Sequence, residues 1–149
     1  MHGGTISVES APGEGSRFTF TVPAGDLSPP VVLVIEDEPG ARELLASYLE
    51  PFGIRTECAA SADEGIQKAR DLKPDAITLD LLMPGQSGWR VLRELRSHPE
   101  TQGTPVFVVS VLDESREMIG ATEYLQKPLS RDALLQALRK HAPARFSML

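Results

Sequence analysis

VVLVIEDEP, Val31 to Pro39, and DAITLDLLMPGQSGW, Asp75 to Trp89, decide how this chain folds. Each contains an apolar run, VVLVI or AITL, that ends on acid: Glu36 and Asp37 follow Ile35, and Asp80 follows Leu79. Apolar runs of this length, each followed by a helical pattern, read as strands of a parallel sheet covered on both faces. Charged residues at their carboxyl ends then converge on one edge, where open α/β sheets bind ligands. EYLQ, Glu123 to Gln126, ends the same way on Lys127-Pro128. A carboxylate cluster with one lysine is therefore spread over three strand-like segments. Hard carboxylate oxygens gathered in this way suit Mg²⁺, which takes one or two protein carboxylates and completes its octahedron with water and phosphate oxygens. A lone lysine beside them can pair with a phosphoryl oxygen. The pattern points to acyl-phosphate chemistry on an aspartate.

The spacing predicts five βα units. Ala41, Leu44, Leu45, Tyr48, Leu49 and Phe52 recur at helical spacing after Pro39, which suits a first turn, and Gly53 ends that helix. IRTECA, ending at Ala59, is the second strand. Ser61 and Glu64 form a capping box ahead of Ile66 and Ala69, and Lys73-Pro74 stops the second helix. Ser87 is placed to cap a third helix carrying Val91, Leu92 and Leu95. PVFVV, Pro105 to Val109, is the fourth strand. Ser130 caps a last helix with Leu134, Leu135 and Leu138 on one face and Arg139 and Lys140 at its end. Between Ser110 and Tyr124, ESREMIGAT (Glu114 to Thr122) leaves room for a fourth helix of only about two turns.

VLVIEDEP, DAITLDLLMPGQSGW, VFVVS and EYLQKPL, in this order, resemble the receiver domain of two-component response regulators over roughly Val31 to His141. Several spaced motifs agreeing in order are specific where one short pattern is not. The resemblance implies an α/β fold: a doubly wound, five-stranded parallel sheet of flavodoxin-like order 2-1-3-4-5. It implies that Asp80 is the phosphoacceptor, taking a phosphoryl group from the phosphohistidine of a histidine kinase or phosphotransfer protein. Such a domain catalyses its own phosphorylation and loses the group slowly, without being a conventional enzyme. The same resemblance assigns Glu36, Asp37, Asp80 and the Leu82 backbone carbonyl to Mg²⁺. It assigns Ser110 to a hydrogen bond with the phosphoryl group, Lys127 to phosphoryl pairing, Pro128 to a cis peptide bond, and Ser110 with Tyr124 to the switch. Val111 and the short fourth helix depart from the family pattern; a smaller residue is commoner after the serine.

Residues 1 to 30 are a different text. HGGTISVES, APGEGS and RFTFTVP read as two alternating strands around a Gly-rich turn, a short N-terminal β-hairpin, and AGDLSPP reads as a linker. The hairpin resembles the end of a histidine kinase's ATP-binding domain, without the parts that would hold ATP. This organises the chain as a kinase remnant at 1–23, a linker at 24–30, the receiver at 31–141 and a C-terminal tail at 142–149, the end of a hybrid kinase. The parent kinase in cis is then a candidate donor.

Composition sets the outer bounds. With 149 residues and 41% hydrophobic content, the chain can bury a core without staples. A net charge of −6 argues against nonspecific nucleic-acid binding. No stretch approaches the roughly 20 apolar residues of a membrane span, and the N-terminus lacks a signal-peptide pattern, so a cytoplasmic protein without membrane contact is expected. The single cysteine, Cys58, reads as a small buried residue in the second strand. Trp89 reads as packing or surface, and His2 belongs to the hairpin. HAPARFSML, His141 to Leu149, leaves no room for a DNA-binding domain, so output is expected through protein contacts, with homodimerisation open. Two rivals stand beside the phosphoacceptor reading. An aspartyl-phosphate hydrolase would need a second aspartate two residues after the nucleophile, where Leu82 stands. A pseudo-receiver would act as an interaction module without phosphorylation.

Overall fold

The computed structural model describes residues 5–7, 21–23, 28–85, 87–111 and 120–149. Five of its strands form one parallel sheet: β3 (Val31–Ile35), β4 (Arg55–Ala59), β5 (Ala76–Asp80), β6 (Val106–Ser110) and β7 (Glu123–Gln126). Their spatial order is β4-β3-β5-β6-β7, the expected 2-1-3-4-5 when counted within the sheet. Separately, β1 (Thr5–Ser7) pairs antiparallel with β2 (Thr21–Pro23), with Ile6 and Val22 partners in the backbone register. These two strands fall within the predicted hairpin, whose turn lies outside the described residues.

Strand alternation divides the core into two layers. Leu33, Ile35, Ile77, Leu79, Val106 and Val108 face α2 (Ala62–Leu72) and α3 (Gly88–Ser97). Val32, Val34, Ala76, Phe107 and Val109 face α1 (Pro39–Leu49), α4 (Arg131–His141) and α5 (Pro143–Phe146). The central strands are buried on both faces, as their continuous apolar runs require. Among the described residues no helix is long and apolar enough to cross a membrane.

Local chemistry sets the helix ends. Pro39 occupies the first turn of α1, and after a 3₁₀ turn (Glu50–Phe52) Gly53 turns left-handed at φ 74°. Ser61 accepts from the Glu64 amide at 3.2 Å, while the Glu64 carboxylate reaches back to the Ala60 amide at 2.6 Å, one residue before the cap. Ser130 accepts from the Ala133 amide at 3.1 Å. Ser87 does take the N-cap position of α3, but its side chain makes no capping bond. What α3 needs instead is Gly88: a Cβ there would meet the Leu81 Cα at 2.8 Å, so only glycine lets the helix start this close to the end of β5.

One expectation changes. Cys58 is half-buried, not buried, because β4 is an edge strand, and burial still raises its thiol pKa. The fourth helix expected over Glu114–Thr122 falls mostly outside the described residues; Gly120, at φ 106°, through Thr122 form a turn and bend leading into β7. The residues expected as a C-terminal tail are docked. Phe146 is fully buried against the α1 and α4 side of the sheet. Arg145 Nε donates to Asp75 Oδ1 at 2.9 Å, its Nη2 donates to the Ser28 carbonyl at 3.0 Å, and Asp75 Oδ2 accepts from the Val31 amide at 2.8 Å. The C-terminus thereby fastens the start of β3 and the last residues of the expected linker.

Truncating a fully buried phenylalanine typically costs about 3–5 kcal/mol. Phe146→Ala should therefore lower the urea midpoint by an amount corresponding to about 3 kcal/mol with little change in slope. A loss under about 1 kcal/mol would mean that the ring is not part of the core.

Candidate functional site

The carboxyl ends of β3 and β5 bring Glu36, Asp37 and Asp80 together, each offering one carboxylate oxygen within 4.8 Å of the others. Glu36 and Asp80 are buried, and Asp37 is half-buried. From the end of β7, Lys127 Nζ donates to Glu36 Oε1 at 2.8 Å and lies 3.6 Å from Asp80 Oδ2. The other Asp80 oxygen, Oδ1, accepts from the Leu82 amide at 3.0 Å. Ser110 is buried at the end of β6, one residue beyond Val109, which pairs with Asp80. Its carbonyl accepts from the Lys127 amide at 2.9 Å, which sets the height of the lysine relative to the acids. The Lys127–Pro128 peptide bond is cis.

Three carboxylates face one ammonium, and the proton affinities of Glu36 and Lys127 respond to that setting. The Glu36 pKa rises from its ordinary value of 4.5 to about 7, mainly through burial and next through a hydrogen bond with Asp80; Lys127 offsets only part of this. For Lys127, burial acts to lower the pKa, but Glu36 and Asp80 outweigh it and the net shift is upward. The cluster carries more negative charge than Lys127 alone offsets. The donor set is all hard oxygen, so it fits a divalent cation such as Mg²⁺ better than a soft metal.

Above the cluster lies an open groove of about 470 Å³ lined by Asp37, Glu38, Asp80, Leu82, Val111 and Lys127. Val111 is 55% exposed on its rim, and the Leu82 side chain also points largely to solvent. Tyr124 is half-buried in the α2 and α3 core layer, three residues before Lys127. Trp89 is half-exposed on the first turn of α3. Arg42 was not anticipated: its guanidinium donates to the Glu36 carbonyl at 2.7 Å and holds the acidic loop against α1. No motif announces it, since an arginine on a helix ordinarily reads as a solvated charge.

A buried acid with a raised pKa holds its proton to higher pH in the folded state than in the unfolded one. Its contribution to stability is therefore greatest below about pH 4.5, falls as pH rises toward 7, and stays low above that. Glu36→Gln should raise the melting temperature of the cation-free protein above pH 7 and flatten this pH dependence. It should also shrink the stabilisation that added Mg²⁺ gives the wild type. Calorimetric melting across pH 5 to 8 reads all three; a lower melting temperature for the variant at pH 8 would contradict the charge imbalance.

Comparison with known proteins agrees with this geometry. Residues 32–139 match the family model of the response regulator receiver domain. The chain is 31% identical over 112 residues to protein PilH of Pseudomonas aeruginosa, covering 72% of this chain and 93% of PilH. It is 31% identical to the phosphate regulon transcriptional regulatory protein PhoB of Rhizobium meliloti over 74% of this chain but only 51% of PhoB, so it spans about half of that relative. In structure it is similar to the receiver domain of a Pseudomonas aeruginosa PAO1 sensor histidine kinase that has a magnesium ion coordinated in its active-site cleft. That likeness has a TM-score of 0.71 at 25% identity and covers 77% of this chain and 98% of the other. The sheet order and helix placement are those of the flavodoxin-like receiver fold, and the chain belongs to the response regulator receiver domain family of two-component systems.

Proposed function

We propose that Asp80 accepts a phosphoryl group from the phosphohistidine of a histidine kinase or phosphotransfer protein. One observation carries this reading: three carboxylates converge within 4.8 Å at the end of the sheet, with Lys127 at 2.8 Å from one and 3.6 Å from the candidate acceptor. Glu36, Asp37, Asp80 and the Leu82 carbonyl would hold Mg²⁺, which when bound neutralises charge on the acceptor and on the phosphoryl oxygens. The magnesium-bound relative supports that choice of metal.

Phosphoryl transfer asks the protein mainly for positioning and charge neutralisation. An Asp80 carboxylate oxygen attacks phosphorus in line, the O–P bond forms, the donor's P–N bond breaks, and the imidazole nitrogen keeps the electron pair. The Leu82 amide fixes one carboxylate oxygen and leaves the other toward Lys127. Lys127 then exchanges its contact with Glu36 for a phosphoryl oxygen. Ser110, fixed in height by its carbonyl bond to the Lys127 amide, supplies a hydroxyl to the group, and repacking around Tyr124 completes the switch.

The same reading extends to the context of the domain. Residues 1–23 are a remnant of a kinase ATP-binding domain, 24–30 a linker, 31–141 the receiver and 142–149 a docked C-terminal extension. The parent is a hybrid histidine kinase with a cytoplasmic receiver, which makes the parent kinase a donor in cis. The antiparallel pairing of Thr5–Ser7 with Thr21–Pro23 supports the hairpin part of this assignment.

A second reading, a pseudo-receiver that binds partners without phosphorylation, draws on Val111, whose branched side chain stands exposed on the rim of the groove. Intact-protein mass after incubation with acetyl phosphate separates the two. The proposal expects a Mg²⁺-dependent phosphoryl adduct in the wild type that is absent in Asp80→Asn. No adduct from acetyl phosphate or from a competent phosphotransfer protein would favour the pseudo-receiver. Val111→Ala should speed modification by acetyl phosphate several-fold by opening the groove; an unchanged rate would show that Val111 does not gate access.

A further inference from the structure

Glu36 is gripped through both its main chain and its side chain. Its amide donates to the Ala59 carbonyl at 2.9 Å, its Oε1 accepts from Lys127 at 2.8 Å, and its carbonyl accepts from Arg42 Nη1 at 2.7 Å. Asp37, the next residue, is held differently: among the described residues its side chain makes no hydrogen bond or ion pair. Its place in the cluster therefore depends on the main chain that carries it. The atoms of the Glu36–Asp37 peptide unit share one plane, and the carbonyl oxygen of that plane is the atom Arg42 holds. Turning the oxygen turns the Asp37 amide and Cα with it. Arg42 itself is half-buried early in α1 and does not line the groove over the acids.

We propose that Arg42 is a positioning residue: by fixing the Glu36–Asp37 peptide plane it aims the Asp37 carboxylate at the divalent cation, without touching the cation or the acceptor. This rests on the reading of the acidic cluster as a Mg²⁺ site and adds a residue to it. An arginine suits the task because its planar, permanently charged fork keeps a short bond to a carbonyl in a set direction. Its charge works the other way. A fixed positive charge beside a metal site repels the metal, so by charge alone the loss of Arg42 improves Mg²⁺ binding, whereas the loss of aim weakens it. The two effects have opposite signs, and the sign separates positioning from charge.

Mg²⁺ titration of the whole chain, followed by the amide chemical shifts of Asp37, Asp80 and Leu82, reads that sign. Arg42→Met keeps the apolar stem and removes the donor and the charge. It should bind Mg²⁺ about tenfold more weakly than the wild type, the lower end of what losing a supporting contact around a metal costs. The weakening should persist at high salt, which screens charge and leaves geometry alone. Arg42→Lys, which restores a charged donor without the fork, should recover part of the loss and remain weaker than the wild type. Equal or tighter binding by Arg42→Met than by a wild type that binds the ion overturns this proposal and leaves the Mg²⁺ reading standing. A wild type whose three amides do not shift at millimolar Mg²⁺ overturns both. Should Arg42→Met fail to fold, Arg42→Lys decides alone, and binding as tight as the wild type's overturns the proposal.

Discussion

The structure depends on three carboxylates meeting one ammonium at the edge of a parallel sheet. Left to themselves, Glu36, Asp37 and Asp80 would repel one another, and burial sharpens the repulsion because little water remains to screen it. Lys127 answers part of the charge and no more. Burial first, and then Asp80, raises the proton affinity of Glu36, while Glu36 and Asp80 raise that of Lys127 against its own burial; the uncompensated negative charge is what prepares the site for a cation and a phosphoryl group. A fully neutralised cluster would be more stable and less receptive.

The surrounding fold holds this unfavourable arrangement in place. Lys127 is tied to β6 through the Ser110 carbonyl, and the loop after it is tied to α1 by the Tyr48 hydroxyl, which donates to the Leu129 carbonyl at 3.0 Å. Glu36 is held by its amide to the Ala59 carbonyl at 2.9 Å and by Arg42 at its own carbonyl. Away from the site, Arg96 gathers the carbonyls of Gly120, Gln102 and Thr104 at 2.7 to 3.0 Å and so fixes the approach to β7. Phe146 and Arg145 do the same for the start of β3. The two strands that bear Glu36 and Lys127 are thus each secured at the end opposite the chemistry.

Much of this was legible in the chain. The strands showed because apolar runs buried on both faces leave an unbroken signal, and the acids showed because they interrupt it. Ser61, Ser130 and Gly53 showed because caps and left-handed turns draw on few residue types. Phe146 did not, since one aromatic in PARF has no period to reveal which face it covers. Arg96 and Arg42 did not, since their partners are backbone carbonyls remote in sequence, and a helical arginine looks like a solvated charge until the fold folds over it. The exposure of Cys58 followed from the position of β4 in the sheet, which local pattern does not encode.

The most direct test of the central claim is a crystal structure grown with Mg²⁺ and beryllofluoride, a stand-in for the phosphoryl group. If the charge imbalance prepares the site, the metal will lie among Glu36, Asp37 and Asp80, the beryllofluoride will sit on Asp80, and Lys127 will have left Glu36 to contact it. A cluster that stays empty under those conditions, with Lys127 still bonded to Glu36, would contradict the account.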